Sequence, residues 1–151
     1  MKGDDLPADG NIVRYVKPSM IEEDGTANGS DFRLRPDRPD NIGLSVNWLE
    51  AFGHDKAHQL AEVRRVCRLT LRQNGRFAEM NVGAVRRCVA EELDTLRIIH
   101  DPLEAEDNFD ADPSHAEITG LPPGNSDQAI LIGDLIAECV MAMHAAINGE
   151  G

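Results

Sequence analysis

Four polar residues scattered along the chain, Arg14, Ser45, Asn47 and His115, each stand among apolar neighbours shortly before a turn signal. Polar side chains in such places need partners when buried, and a cleft at strand ends is where a small sheet holds a ligand. The imidazole of His115 has the chemistry of a general base, and the Ser45 hydroxyl that of a hydrogen-bond donor or nucleophile. The Arg14 guanidinium can hold an anion through two parallel hydrogen bonds. Glu117, two positions after His115, completes this catalytic candidate group, and Asn47 joins it as a binding residue. The plainer account has His115 capping an acidic loop and Arg14 in a structural ion pair, and residue types alone favour it.

A second candidate is a stripe of positive charge. Between Arg64 and Arg87 stand seven arginines (Arg64, Arg65, Arg68, Arg72, Arg76, Arg86 and Arg87) against one acid, Glu79. Arg64, Arg65 and Arg68 are the expected binding residues, for a small anionic ligand such as phosphate, an RNA backbone or an acidic protein partner. The competing expectation is internal pairing with Glu22-Glu23-Asp24, Glu91-Glu92 and the run Asp101 to Asp112.

No metal site is expected. His54 and His58 lie four apart on a helical stretch, with Glu79 as a conceivable third ligand. A zinc-peptidase motif, however, needs Glu where Asp55 stands. The acidic run Asp101 to Asp112 lacks the regular spacing, glycine and closing Glu of a calcium loop. No phosphate loop, GxGxxG or GxSxG occurs, and no cofactor is expected.

These groups must be positioned by short elements. Asn11 to Lys17 is β-branched and aromatic, closed by Pro18, and predicts a strand with Ile12, Arg14 and Val16 on one face. Asp31 to Arg35 predicts a second short strand. Gly43 to Glu50 holds the only tryptophan, Trp48, and alternates Leu44 and Val46 with Ser45 and Asn47, so one face is wet. One helical turn is expected between Asn47 and Phe52. A helix is expected from His54 to the Asn74-Gly75 stop, then a strand over Arg76 to Val82, and after Gly83 either a short helix through Val85, Val89 and Leu93 or more strand. Leu96 to His100 and His115 to Thr119 predict strands flanking an acidic loop. Ser126 or Asp127 caps a final helix running to about Asn148, apolar over most of its circumference and therefore buried.

The predicted fold class is α+β: a small mixed or antiparallel sheet of short strands packed with two or three helices, the C-terminal one buried. A fraying N-terminus over 1–9, one domain over 10–148 and a short tail over 149–151 are expected. The 151 residues suit one domain, and 41% hydrophobic content is too high for wholesale disorder. A net charge of -12 argues against general nucleic-acid or anionic-membrane binding. No apolar leader opens the sequence, and Asp134, Glu138 and His144 interrupt the last apolar stretch, so no membrane span is expected. Cys67, Cys88 and Cys139 are widely separated and odd in number. They are expected to be unpaired core residues in a reducing, cytoplasmic compartment.

Val13-Arg14-Tyr15, Leu44-Ser45-Val46, His100-Asp101-Pro102 and Pro113-Ser114-His115-Ala116-Glu117-Ile118 resemble a pattern in small uncharacterised bacterial proteins. The resemblance covers about Val13 to Pro122 and implies no activity. More loosely, Arg14, Ser45 and Glu117 resemble the strand-borne Arg, Ser and Glu of ADP-ribosyltransferase-like folds. That likeness implies nicotinamide-dinucleotide binding, although the Ser-Thr-Ser triplet and the paired acid before the Glu are missing. Two expectations result. The first is a binding or interaction module, homodimeric through its last helix. The second is an ADP-ribosyl- or glycosyl-transfer enzyme with Arg14, Ser45, His115 and Glu117 in one pocket.

Overall fold

The computed structural model describes residues 2–35, 43–124 and 126–147. Among these, six short strands form one antiparallel sheet: β1 (Asn11–Val16), β2 (Gly43–Trp48), β3 (Arg76–Asn81), β4 (Arg97–His100), β5 (His115–Thr119) and β6 (Ala142–Ala145). Their spatial order is β4-β5-β2-β1-β3-β6. Three α-helices accompany them: α1 (Lys56–Val66), α2 (Val82–Val89) and α3 (Asp127–Glu138). The class is α+β, with a C-terminal helix packed on an antiparallel sheet. No helix among the described residues is long and apolar enough to cross a membrane.

The alternation of side chains along each strand divides the core in two. One face carries Ile12 and Val16 of β1, Leu44 and Val46 of β2, Ala78 and Met80 of β3, Ile98 of β4, and Ala116 and Ile118 of β5. Phe32, Val82, Val85 and Val89 of α2, and Ile132 and Ile136 of α3 close over them. The other face is covered over part of its width only, where Val13 and Phe77 meet Leu49, Leu60 and Val63 from the segment around α1. Burying each large side chain is worth about 1.5–3 kcal/mol, so both layers hold the sheet firmly. Over β2 and β5 this second face stays polar.

Each helix begins on a side chain that accepts a backbone N–H. Asp55 caps α1 through His58, Asn81 caps α2 through Ala84, and Ser126 caps α3 through Ala129. Trp48 packs at the edge of the larger cluster, with its ring edge-on to His100 at 5.4 Å.

Several expectations are corrected. Asp31 to Arg35 is not a strand. Asn28 accepts from the Ser30 N–H at 2.8 Å and starts a 3-10 turn over Gly29–Phe32, which drives Phe32 into the core. α1 stops at Val66, well before Asn74, because the chain turns extended at Cys67. The final helix ends at Glu138. Residues 142–145, expected to be helical, pair with β3 instead and satisfy its open edge. α3 buries the stripe Ala129, Ile132, Gly133 and Ile136, while Ile130 and Leu131 are exposed, so it is not apolar-buried around most of its circumference. Part of the N-terminal segment lies against the sheet. Gly3 and Leu6 donate backbone hydrogen bonds to His100 and Ile98, Asp5 bridges Ile99, and Leu6 is buried. Cys88 and Cys139, expected to be unpaired, form a disulfide that joins α2 to the end of α3, while Cys67 is free. The helix end at residue 148 and the tail over 149–151 lie outside the described residues.

Candidate functional site

β2 and β5 run antiparallel with Ser45 opposite Glu117 and Asn47 opposite His115. Leu44, Val46, Ala116 and Ile118 point into the larger core, so Ser45, Asn47, His115 and Glu117 all project from the other face. β4 ends beside them. The Asp101 N–H donates to the His115 carbonyl at 2.9 Å, and Pro102 follows, with no N–H to extend the ladder.

The His115 ring is held from both ends. Its Nδ1 lies 2.8 Å from the Asp101 carbonyl oxygen, and 3.3 Å from Asp101 Oδ2. A carbonyl oxygen only accepts, so the proton sits on Nδ1. In the neutral ring Nε2 is then an acceptor, and it lies 3.2 Å from the Ser45 hydroxyl, which donates to it. Ser45 is exposed, so the pair faces solvent. The chain thus places a hydroxyl, an imidazole of fixed tautomer and Asp101 in one line.

Glu117 borders this line. A Cβ added at Gly43 would stand 2.8 Å from Glu117 Oε2, so the absence of a side chain at position 43 makes room for the carboxylate. The Glu117 side chain has no hydrogen bond or ion pair among the described residues. One ligand-type atom from each of Asp101, His115 and Glu117 lies within 4.8 Å of the others.

Arg14 does not join them. It shares its strand face with Ile12 and Val16, the face opposite to that of Ser45 and His115. There its Nε donates to the Asp31 carbonyl at 2.7 Å and lies 3.5 Å from Asp31 Oδ2. Its Nη1 donates to the Ser45 backbone carbonyl at 2.8 Å. β1 and β2 are in register only at Ile12 with Trp48 and Val13 with Asn47, and Arg14 serves the Ser45 carbonyl beyond that point. Burial pushes the guanidinium down from its ordinary value against the opposing pull of Asp31. Burial likewise pushes the Asp31 carboxyl up, against the positive charges of Arg14 and Lys17. Both groups are fixed in structure, so the expected common pocket of Arg14, Ser45 and His115 does not form.

Asn47 is buried and structural. Its Nδ2 donates to Asp112 Oδ2 at 2.9 Å and to Ser114 Oγ at 2.8 Å, and Ser114 Oγ donates to Asp112 Oδ1 at 2.6 Å. This knot pins the far end of the loop from Asp101 to Ser114 onto β2, just before His115. The three arginines of the stripe expected to bind, Arg64, Arg65 and Arg68, are also engaged internally. Arg64 Nη2 donates to the Ala145 carbonyl at 2.8 Å. Arg65 pairs with Glu62 at 2.6 Å and Asp110 at 2.8 Å. Arg68 reaches the Glu104 carbonyl, pairs with Glu106 at 3.3 Å and lies over the Phe109 ring. The acidic loop is therefore already a partner of Arg65 and Arg68, Arg64 is held by β6, and a separate anion site built on Arg64, Arg65 and Arg68 is not present in this arrangement.

Glu79, the conceivable third zinc ligand, is buried on β3 between Lys56 Nζ at 2.5 Å and His144 Nε2 at 2.7 Å. His54 and His58 are exposed near the start of α1. A cavity of about 390 Å³ lined by Ala27, Ala137, Val140 and Met143 lies by α3 and β6, across β1 and β3 from Ser45. It contains none of the candidate residues.

Asp101, Asp112 and Ser114 are not among the expected site residues, and Asp101 and Asp112 are read from the sequence only as the ends of an acidic run. The available signal was Pro102, which ends β4 and fixes Asp101 where the ladder stops. No protein-family model, no curated protein and no solved structure matches the chain.

Proposed function

We propose that the chain is a binding module that takes a positively charged ligand group on the polar face of β2 and β5. The observation that carries this reading is the tethered His115, with Nε2 turned to the exposed Ser45 and the carboxylates of Asp101 and Glu117 on either side. Two carboxylates beside the imidazole give the site acceptors and negative charge, which favour a cation and repel an anion. The anionic ligand expected from Arg14 and the arginine stripe has no support here, because those guanidinium groups are engaged elsewhere. NMR titration of ring-labelled histidine tests the reading. A tetralysine peptide or a divalent cation should move the His115 ring signals, and inorganic phosphate should not. Movement with phosphate alone, or with none of these, overturns it.

A second reading rests on the Ser45–His115 hydrogen bond itself. A serine hydroxyl donating to an imidazole whose other nitrogen is held has the nucleophile and base of an acyl-transfer centre. This reading supports an enzyme without a dinucleotide. It predicts that a fluorophosphonate probe labels Ser45 and that His115→Ala abolishes labelling. An unlabelled Ser45 removes it.

A further inference from the structure

We infer that Asp101, His115 and Glu117 form a site for one divalent transition-metal ion. The inference rests on the binding reading above and specifies its ligand.

The first support is convergence. Three side chains with ligating atoms come from the end of β4 and from alternate positions of β5, and these atoms lie within 4.8 Å of one another. Asp101 Oδ2 lies 3.3 Å from His115 Nδ1, whereas Nε2 faces Ser45, so the Asp101 side chain must turn along the ring to share an ion with Nε2. His115 and Glu117 are on one strand and Asp101 is paired to it, so strand pairing fixes the backbone positions of all three.

The second support is charge. Asp101 and Glu117 bring two negative groups to one place. The ammonium nearest Asp101 is Lys2, 3.8 Å away on a largely exposed side chain, and Glu117 has no partner among the described residues. Elsewhere the half-buried Asp31 has Arg14 as a close partner, and the buried Glu79 has Lys56 and His144. A bound cation would supply what Glu117 lacks.

The third support is the histidine. Metal-binding imidazoles characteristically donate their other N–H to a carbonyl or carboxylate, which orients the ring. His115 Nδ1 has that bond to the Asp101 carbonyl, and the nitrogen left to ligate is Nε2. On metal binding Nε2 exchanges the Ser45 hydrogen bond for the ion. One nitrogen with two carboxylates selects zinc, manganese or iron over calcium and magnesium, which prefer oxygen alone.

Isothermal titration of the chelator-stripped full chain with zinc chloride, manganese chloride and calcium chloride tests this. One equivalent of zinc or manganese should bind, and calcium should bind at least about tenfold more weakly. His115→Ala and Glu117→Gln should each weaken binding about tenfold or more, while His58→Ala, on the exposed turn of α1, should leave it unchanged. Circular dichroism checks that each variant is folded. Zinc binding lost in His58→Ala but kept in His115→Ala would overturn the site, as would no binding at millimolar metal. If metals fail while tetralysine still moves the His115 ring, the metal inference fails alone. If neither ligand acts on that ring, the binding reading fails with it.

Discussion

The nitrogen of His115 that faces inward is fixed by the backbone carbonyl of Asp101, 2.8 Å away, rather than by the Asp101 carboxylate at 3.3 Å. A main-chain atom is not changed by side-chain substitution. Asp101→Asn is therefore expected to keep the proton on Nδ1, which long-range proton–nitrogen NMR of the ring reports directly. A switch to Nε2–H in that variant would show that the carboxylate sets the tautomer.

Asn47 holds the loop before β5 through a buried knot with Asp112 and Ser114. Asn47→Ala leaves Asp112 Oδ2 without this donor in a buried place, which costs about 1–3 kcal/mol. Urea denaturation should show the loss as a lower midpoint with an unchanged slope. An unshifted midpoint would mean that water or a neighbour replaces the amide at no cost.

The Arg14–Asp31 pair predicts a pH dependence of definite sign. Burial raises the folded pKa of Asp31 above its unfolded value, so the native state holds its proton more tightly. The stability contributed by this group is fully present below the unfolded pKa, about 3.9, and is lost as pH rises through the raised folded value. Asp31→Asn removes that slope. Measured between about pH 4 and pH 7, the variant should gain on the wild type as pH increases. A difference between the two proteins that does not change with pH would contradict the assignment.

The arginines of α1 differ in what they hold. Arg64 ties the helix to β6 through the Ala145 carbonyl with Nε at 3.3 Å and Nη2 at 2.8 Å. Arg64→Ala should cost about 1.5–3 kcal/mol, the range for hydrogen bonds to a charged group. Arg65 is exposed and bonds only the half-buried Glu62 and the exposed Asp110, so Arg65→Ala should leave the denaturation midpoint where it was. Equal effects from the two variants would show that the β6 contact contributes little.

The disulfide between Cys88 and Cys139 closes a separation of 51 residues. Reduction should lower thermal stability by about 2–4 kcal/mol, because the unfolded chain regains the freedom of that loop. Intact mass under native and reducing conditions should differ by two hydrogens. A protein with three alkylatable thiols before reduction would contradict the pairing.

Much of the site can be read in residue order, and some of it cannot. The two-residue period of Leu44-Ser45-Val46-Asn47 and of His115-Ala116-Glu117-Ile118 assigns each side chain to a face, and pairing in register brings Ser45 to His115. The same period puts Arg14 with Ile12 and Val16, but it does not say which faces of different strands coincide. That needs the register of β1 against β2, which is long range. β6 was illegible for a related reason. Ala142 to Ala145 continues the apolar pattern of α3, and the open edge of β3 decides that it pairs as a strand. Asp101 and Asp112 were hidden in an acidic run whose composition describes solvated loops, although two of its members are fixed against the sheet.

Paramagnetic line broadening by substoichiometric manganese, read on the backbone amides, probes the β2–β5 face most directly. The account predicts that signals of Asp101, His115 and Glu117 broaden first, with His54 and His58 unaffected. Broadening centred on the first turn of α1, or spread evenly over the acidic loop from Glu104 to Asp110, would contradict it.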